Sequence, residues 1–438
     1  MNSPDHIAHR IAEDLYQKLG NEEDARACED IPESGCHVVP GNFFLILGSQ
    51  CLTKLGDAIV NPKTVLTWVA VMAGAPGFVL SLLVPVRESG SMMPQLFIGG
   101  MVRHLPVRKW VWVAGSVVQA ATVIGMGLAV WYQFHVGIAI LLLLIVFSLG
   151  RGLCSVASKD VLGKTIPKGN RGKLNGWSVL LAGVITLVIG GALVSYNASE
   201  FSHETLASLL LFAGLLWLLA ALVYSRVMEV PGETDGALNA VEVALSSLRL
   251  LHEDHAFRWF VITRALLMCS ALSAPFFLAM SQGAHGTAPV QLGLFMLAGG
   301  LASLLSAPLW GMFADQSSKA VLNLAAVCTA IVCLVVYLSG EFAPAVISSS
   351  WGLPLAYFLL QIAHSGVRVG RKTYVLDLAS GNKRTAYVSV GNTLIGILLL
   401  LAGSLGLLTP VLGARGMVGL FGLMGLAGAL MCRKLKAV

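Results

Sequence analysis

A chain of 438 residues that is 56% hydrophobic and only 12% charged has about half the charged fraction of a soluble domain, which excludes a water-soluble globular protein. Its net charge of +6 is the ordinary excess of a membrane protein with basic loops on one face, and gives no sign of nucleic acid as a partner. Eight scattered cysteines without CxxC spacing indicate neither a disulfide framework nor a zinc site. The chain has no HExxH, GxxxxGK[ST] or GxSxG sequence, so nothing supports a membrane enzyme, and neither metal nor cofactor is expected.

Residues 1–41 are polar, lack the apolar core and cleavage site of a signal peptide, and read as a cytoplasmic tail with an amphipathic helix over Ile7–Leu19. Apolar runs of about 20 residues, enough to cross about 30 Å of hydrocarbon, then follow at 42–67, 75–101, 109–133, 136–164, 173–196 and 205–228. A polar stretch, 229–256, holds the amphipathic segment LNAVEVALSSLRLLHEDH and reads as a cytoplasmic linker. Six further runs lie at 257–282, 287–314, 319–340, 350–376, 385–408 and 413–432, within a second unit of 257–438 that ends in a short tail. The expected fold is an all-α polytopic membrane protein with twelve transmembrane helices in two pseudo-symmetric six-helix bundles, 42–228 and 257–438. Basic residues crowd alternate loops, for example Arg108 and Lys109, Lys168 and Arg171, and Arg433 to Lys436. That bias puts both termini in the cytoplasm. A monomer in the lipid bilayer of a bacterial inner membrane is expected.

The two sets of runs are related by a shift of 213 residues. Lys159 and Arg171 repeat as Lys372 and Arg384, Pro62 as Pro275, and Arg151 as His364. A half-length repeat in so apolar a chain points to two facing bundles with a site between them, as in transporters.

Two loops carry related motifs. From Gly100 the chain reads GMVRHLPVRK, with His104, Arg108 and Lys109; from Gly311 it reads GMFADQSSKA, with Asp315 and Lys319. Arg151 inside the fourth run is followed by Arg171–Gly172. These resemble the gating-loop sequence GxxxDRxGRR and the span-four arginine motif of the major facilitator superfamily. The first copy has His104 where the family has Asp, and the second has Gln316 where it has Arg. The resemblance implies that the loop latches the cytoplasmic side, with Asp315 as the acid of the second copy. It also implies that spans one, four, seven and ten line a central cavity. The antiporter signature is half present: Gly190–Gly191 occur with no proline before them.

An ionisable side chain in the bilayer is costly unless it faces a wet cavity or a partner. Asp57 and Glu88 are the acidic candidates for substrate or coupling-ion binding, and Arg151, Arg264, His364 and Arg368 the basic ones. Lys54 and Asp57 lie three apart, and a structural salt bridge between them is the plain alternative. Lys159, Lys164, Arg371 and Lys372 have a similar alternative, reaching the headgroups or pairing with Asp160 and Asp377. Cations outnumber carboxylates, which favours an anionic or zwitterionic solute. The expected function is secondary active transport of a small solute by alternating access, with the proton as coupling ion. Efflux of drugs or metabolites, or a non-transporting membrane sensor or scaffold on the same fold, are the alternatives.

Overall fold

The computed structural model describes residues 38–95, 98, 101–102, 104–196, 201–232, 234, 251–378 and 383–436, and these are helical apart from short turns. The expected tail helix at Ile7–Leu19 and most of the linker lie outside those residues. In hydrocarbon every backbone N–H and C=O needs an internal partner, and only helices supply one from within a single segment. The described residues form α1 (Val39–Ile59), α2 (Val65–Met72), α3 (Gly77–Met92), α4 (Lys109–Trp131), α5 (Val136–Thr165), α6 (Lys168–Val194) and α7 (His203–Ser225) in the first half. The second half holds α8 (His255–Leu266), α9 (Cys269–Leu272), α10 (Ala274–His285), α11 (Pro289–Gln316), α12 (Ser318–Phe342), α13 (Pro344–Ser348), α14 (Gly352–Leu378), α15 (Lys383–Gly403) and α16 (Thr409–Cys432).

Among the described residues, eight helical stretches are long and apolar enough to cross a membrane. One of them, Val390–Cys432, runs through a 3-10 turn at Ser404–Leu408 and a kink at Gly413, whose φ of 66° suits glycine alone. The expected first, second and tenth spans are not among the eight. α1 and α2 are parted by Pro62, α3 is short, and α14 carries Arg368, Arg371, Lys372 and Asp377. All three place side chains on the central cavity.

The first span breaks at Val60–Thr64, where Pro62 has no N–H to give and its ring disfavours helix at Asn61. Side chains take up the freed backbone groups: Asn61 Oδ1 accepts from Lys63 N–H (2.9 Å) and Thr67 Oγ1 donates to Pro62 O (2.6 Å). The repeat-related Pro275 opens α10, and the seventh span is correspondingly split into α8, α9 and α10. α8 starts on Asp254, which accepts from Phe257 N–H (2.9 Å). The HEDH sequence is thus a helix cap.

Two antiparallel contacts join the bundles, and both depend on glycine. Ser81 and Ser89 on α3 donate to Gly403 O (2.7 Å) and Gly396 O (2.8 Å) on α15. Gly183 and Gly190 on α6 face α11, where a Cβ on Gly293 would stand 2.8 Å from Gly190 O. At the face away from the termini, Gln282 Nε2 donates to Trp68 O (3.1 Å) and Phe201 N to Thr287 O (3.3 Å).

Candidate functional site

Asp57 is the hub of the first bundle's polar centre. Arg87 on α3 reaches it at 2.5 Å, and Arg151 on α5 places one nitrogen 2.7 Å from both carboxylate oxygens. Arg87 also lies over the Phe147 ring, 4.6 Å from its centroid. Lys54, the partner expected from sequence spacing, makes no hydrogen bond or ion pair among the described residues. It lies on the wall of the cavity instead. Arg87 and Glu88, being adjacent, point to different partners: Arg87 to Asp57, and Glu88 into open space with no ion pair among the described residues.

The second bundle answers with a different chemistry. His364 on α14 stands 2.8 Å from Lys63 Nζ through Nε2 and 3.0 Å from Ser270 Oγ through Nδ1. Ser270 spends its proton on Leu267 O (2.9 Å), so its oxygen accepts from Nδ1–H. Nε2 is then the acceptor for Lys63, an assignment made from the network. Lys63 is brought to this point by the break at Pro62, and it bridges the bundles. The 213-residue shift also maps Asp57 onto Ser270, so the contact Asp57–Arg151 recurs as Ser270–His364 with both charges replaced.

All of these polar side chains but Ser270 line one cavity of about 610 Å³ between the bundles, a size that suits a small solute. Among the described residues, six cationic side chains line it (Lys54, Lys63, Arg87, Arg151, Arg368 and Lys372) against two carboxylates, Asp57 and Glu88. Asp57 is already matched by two arginines, which leaves Glu88 as the one unpaired acid among many cations. Arg264 on α8 is buried behind this wall, in a small recess shared with Glu88, His364 and Arg368. It donates to Asn392 Oδ1 (3.1 Å) while its Nε has no partner. Five of the six candidates from the sequence, Asp57, Glu88, Arg151, His364 and Arg368, therefore line one cavity, and Arg264 faces the recess behind it. Lys63 was not among them, and its signal was the proline beside it. Among the described residues no group of three His, Cys, Asp or Glu side chains is placed to hold a metal ion.

The gating-loop residues are placed otherwise. Gly100 lies outside the described residues, as does the side chain of Asp315 on α11. His104 is exposed. Arg108 pairs with Asp160 at the end of α5. Lys109 Nζ donates to Ser225 O (3.0 Å) and Val227 O (2.8 Å) past α7, and Lys319 Nζ to Leu435 O (2.6 Å) past α16. Each lysine thus caps the carbonyl end of the last helix in its own bundle, where a cation is favoured. Gly311 has open space around it. The acid at the first loop is Glu229, which the sequence assigned to the linker. Its fully buried carboxylate accepts from the N–H groups of Arg108 (2.8 Å) and Lys109 (2.7 Å) at the start of α4, and from Lys164 Nζ (3.0 Å). Lys164 also meets Asp160 at 3.2 Å, whereas Asp377 accepts from Ser318 Oγ (2.9 Å).

Among solved structures the fold is similar to the xylose transporter XylE from E. coli in an inward open conformation, with a TM-score of 0.66 at 12% identity over 91% of this chain and 97% of that one. It is likewise similar to the nucleoside transporter NupG (TM-score 0.68, 12% identity, 89% and 99%). A POT family transporter in complex with 5-aminolevulinic acid gives 0.66 at 12% over 89% and 94%. In sequence the chain is 26% identical over 378 residues to the uncharacterized protein Rv2209 of Mycobacterium tuberculosis, covering 82% of this chain and 68% of that protein. The family model described as Major Facilitator Superfamily matches residues 46–339. With that match and the all-helical two-bundle architecture together, the chain belongs to the Major Facilitator Superfamily, as a multi-pass integral membrane protein of transporter fold.

Proposed function

We propose that the protein is a secondary active transporter that carries a small anionic solute by alternating access, with a proton as coupling ion. The observation that carries this reading is the charge of the inter-bundle cavity. Its six cationic side chains face one matched and one unmatched carboxylate. Unpaired charge in a low-dielectric site seeks a counter-ion, and an anionic solute supplies one. Glu88 is the proposed proton carrier, since protonating it removes the one free negative charge that would repel such a solute. Arg151, His364 and Arg368 are proposed to hold the solute, and Arg264 to support them from behind. We place both termini in the cytoplasm, by the basic loops on that face. The bundles then touch on the outer face, through Gln282–Trp68 and Phe201–Thr287, as an inward-facing state would.

Proteoliposomes holding the purified protein, with an alkaline interior and a cell extract outside, test this directly. Mass spectrometry of the lumen is expected to show protein-dependent accumulation of one or a few anionic solutes that collapses when the pH gradient is removed. Glu88→Gln is expected to abolish that accumulation. Accumulation of neutral or cationic solutes alone, or an active Glu88→Gln protein, would refute the reading.

A further inference from the structure

A second polar space lies inside the first bundle. It has a volume of about 400 Å³ and shares Lys54, Asp57 and Arg151 with the central cavity, so it opens off that cavity between α1 and α5. Trp112 and Tyr224 form one wall, stacked with ring centroids 3.9 Å apart, and Trp217 another. Between them stand amide side chains, Gln50, Gln119 and Asn175, with several serine hydroxyls.

Amides in a membrane bundle usually bond to a neighbouring helix. Here they do so little. The side chains of Gln50 and Asn175 make no hydrogen bond among the described residues. Gln119 Nε2 donates to Gly115 O and Cys154 Sγ, both at 3.3 Å, which leaves its carbonyl oxygen facing the space. The buried Tyr224 hydroxyl has no partner either. The 213-residue repeat supplies the control. At the first and fifth spans, where the shift of 213 holds, the second half carries Leu267 for Lys54 and Val388 for Asn175. The first bundle thus keeps in this space a cation and an amide that the second half replaces with apolar residues, together with hydrogen-bonding groups that have no partner among the described residues, a costly choice in lipid unless something binds.

We infer that this pocket is a second part of the solute site, and that the transported solute is a polyhydroxylated acid. Its hydroxyl-bearing chain enters the pocket, against the aromatic faces and the amides, and its carboxylate stays at the mouth on the unpaired Lys54. Neutral hydrogen-bonding groups and aromatic faces suit hydroxylated carbon, and the cation at the mouth suits one negative charge. This rests on the anionic-solute reading above and adds the chemistry of the rest of the molecule.

Trp112 and Trp217 make the pocket observable, because a ligand between them alters tryptophan emission from the full-length protein in detergent or nanodiscs. D-gluconate and hexanoate serve as probes: both have six carbons and one carboxylate, and only the first has hydroxyls. Gluconate is expected to change the emission saturably, with a Kd at least tenfold below that of hexanoate. Gln119→Val and Asn175→Val, which remove the amides, are each expected to raise the gluconate Kd at least fivefold and to leave hexanoate unaltered. Asn175 is exposed, so its replacement leaves the packing intact. Absence of saturable gluconate binding, equal affinity for the two probes, or parental gluconate binding by both variants would overturn the inference. The two readings fail separately. If Lys54→Met weakens both acids alike while the amide variants bind gluconate as the parent does, the anion site stands and this subsite falls. If the amide variants lose gluconate but the parent moves no anion in proteoliposomes, the subsite stands and the transport reading falls.

Discussion

Asp57 and Glu88 are carboxylates in the same cavity wall, and neutralising them should have opposite consequences. Asp57→Asn leaves Arg87 without its partner at 2.5 Å, where the arginine is 8% exposed and the aspartate 23%. Breaking a buried ion pair on one side costs about 3–5 kcal/mol. Arg151 is 38% exposed and can turn to water, so its share of the pair adds no more than about 1 kcal/mol. Part of the Arg87 charge stays supported by the Phe147 ring, which sets the expected loss near the lower end, about 3 kcal/mol, or roughly 100-fold in the unfolding equilibrium. Glu88→Gln breaks no hydrogen bond or ion pair among the described residues, so its stability should stay within about 1 kcal/mol of the parent. The buried thiols Cys154, Cys269, Cys333 and Cys432 provide the assay, since a thiol-reactive fluorophore labels them when the bundles open. Labelling by Asp57→Asn should rise about 100-fold at fixed temperature under conditions where opening is in rapid equilibrium, and labelling by Glu88→Gln should match the parent. Equal sensitivity of the two variants would refute the claim that Asp57 is structurally matched and Glu88 free.

The Lys63–His364 bridge exists while Nε2 is unprotonated and is lost as pH falls, because a proton there removes the acceptor and sets an imidazolium against an ammonium. Glu88, Arg264, Arg368 and Arg371 also face this histidine's surroundings. Spin labels at the exposed Phe134 and Phe342 should move apart on acidification in the parent, and the distance should be insensitive to pH in His364→Gln. Gly190→Ala places a methyl group 2.9 Å from Leu297 N and should destabilise by about 1–3 kcal/mol in the thiol assay, whereas Gly191→Ala meets nothing within 4 Å and should be neutral or slightly stabilising. Glu229→Gln removes a fully buried charge that holds two helix-end N–H groups and Lys164, and should cost about 2 kcal/mol or more by the same readout. His104→Ala, at an exposed position, should change stability by less than about 0.5 kcal/mol.

The sequence carried the helices and their two-fold arrangement, because backbone in lipid has few options and hydropathy reports where it crosses. The breaks in the runs 42–67 and 257–282 were not read from it, although Pro62 and Pro275 act there through local sterics. Partner choice was less legible. Asp57 passes over Lys54, three residues away on its own helix, for two arginines on α3 and α5. Which of these it meets is set by how each helix is rotated about its axis, and nearly uniform apolar helices give no strong face to fix that rotation. Lys63 escaped for a related reason. The run 42–67 reads as one helix, and a side chain's direction beyond a proline break does not follow from the helical count before it. Glu229 sits just beyond the apolar end of α7 and looked like linker, yet the chain folds back so that Gly232 N–H donates to Pro106 O (3.0 Å).

The repeat explains why the two halves should play unequal parts. In the first half the contact between the first and fourth spans is Asp57 with Arg151, and Arg87 closes it further. A charged pair held at 2.7 Å from two directions resists change, because losing either partner strands a charge. In the second half the same contact is Ser270 with His364, a neutral hydrogen bond that a single proton can rewrite. Across the midline, Lys63 is donated by the rigid half to the adjustable one. Its counterpart by the repeat is Phe276, fully buried, so the bridge runs in one direction only. The alternating access proposed above would need a fixed side and a side that can let go, and the substitutions Asp57 to Ser270, Arg151 to His364 and Lys63 to Phe276 would provide them. On that argument His364→Arg, which restores the first half's residue, should not recreate a salt bridge, because Ser270 offers no charge. It should instead set a fixed cation against Lys63, and the spin-label distance should stay at the parent's acid-pH value across the pH range. A parental pH response in that variant would mean that the bridge between the bundles does not depend on His364.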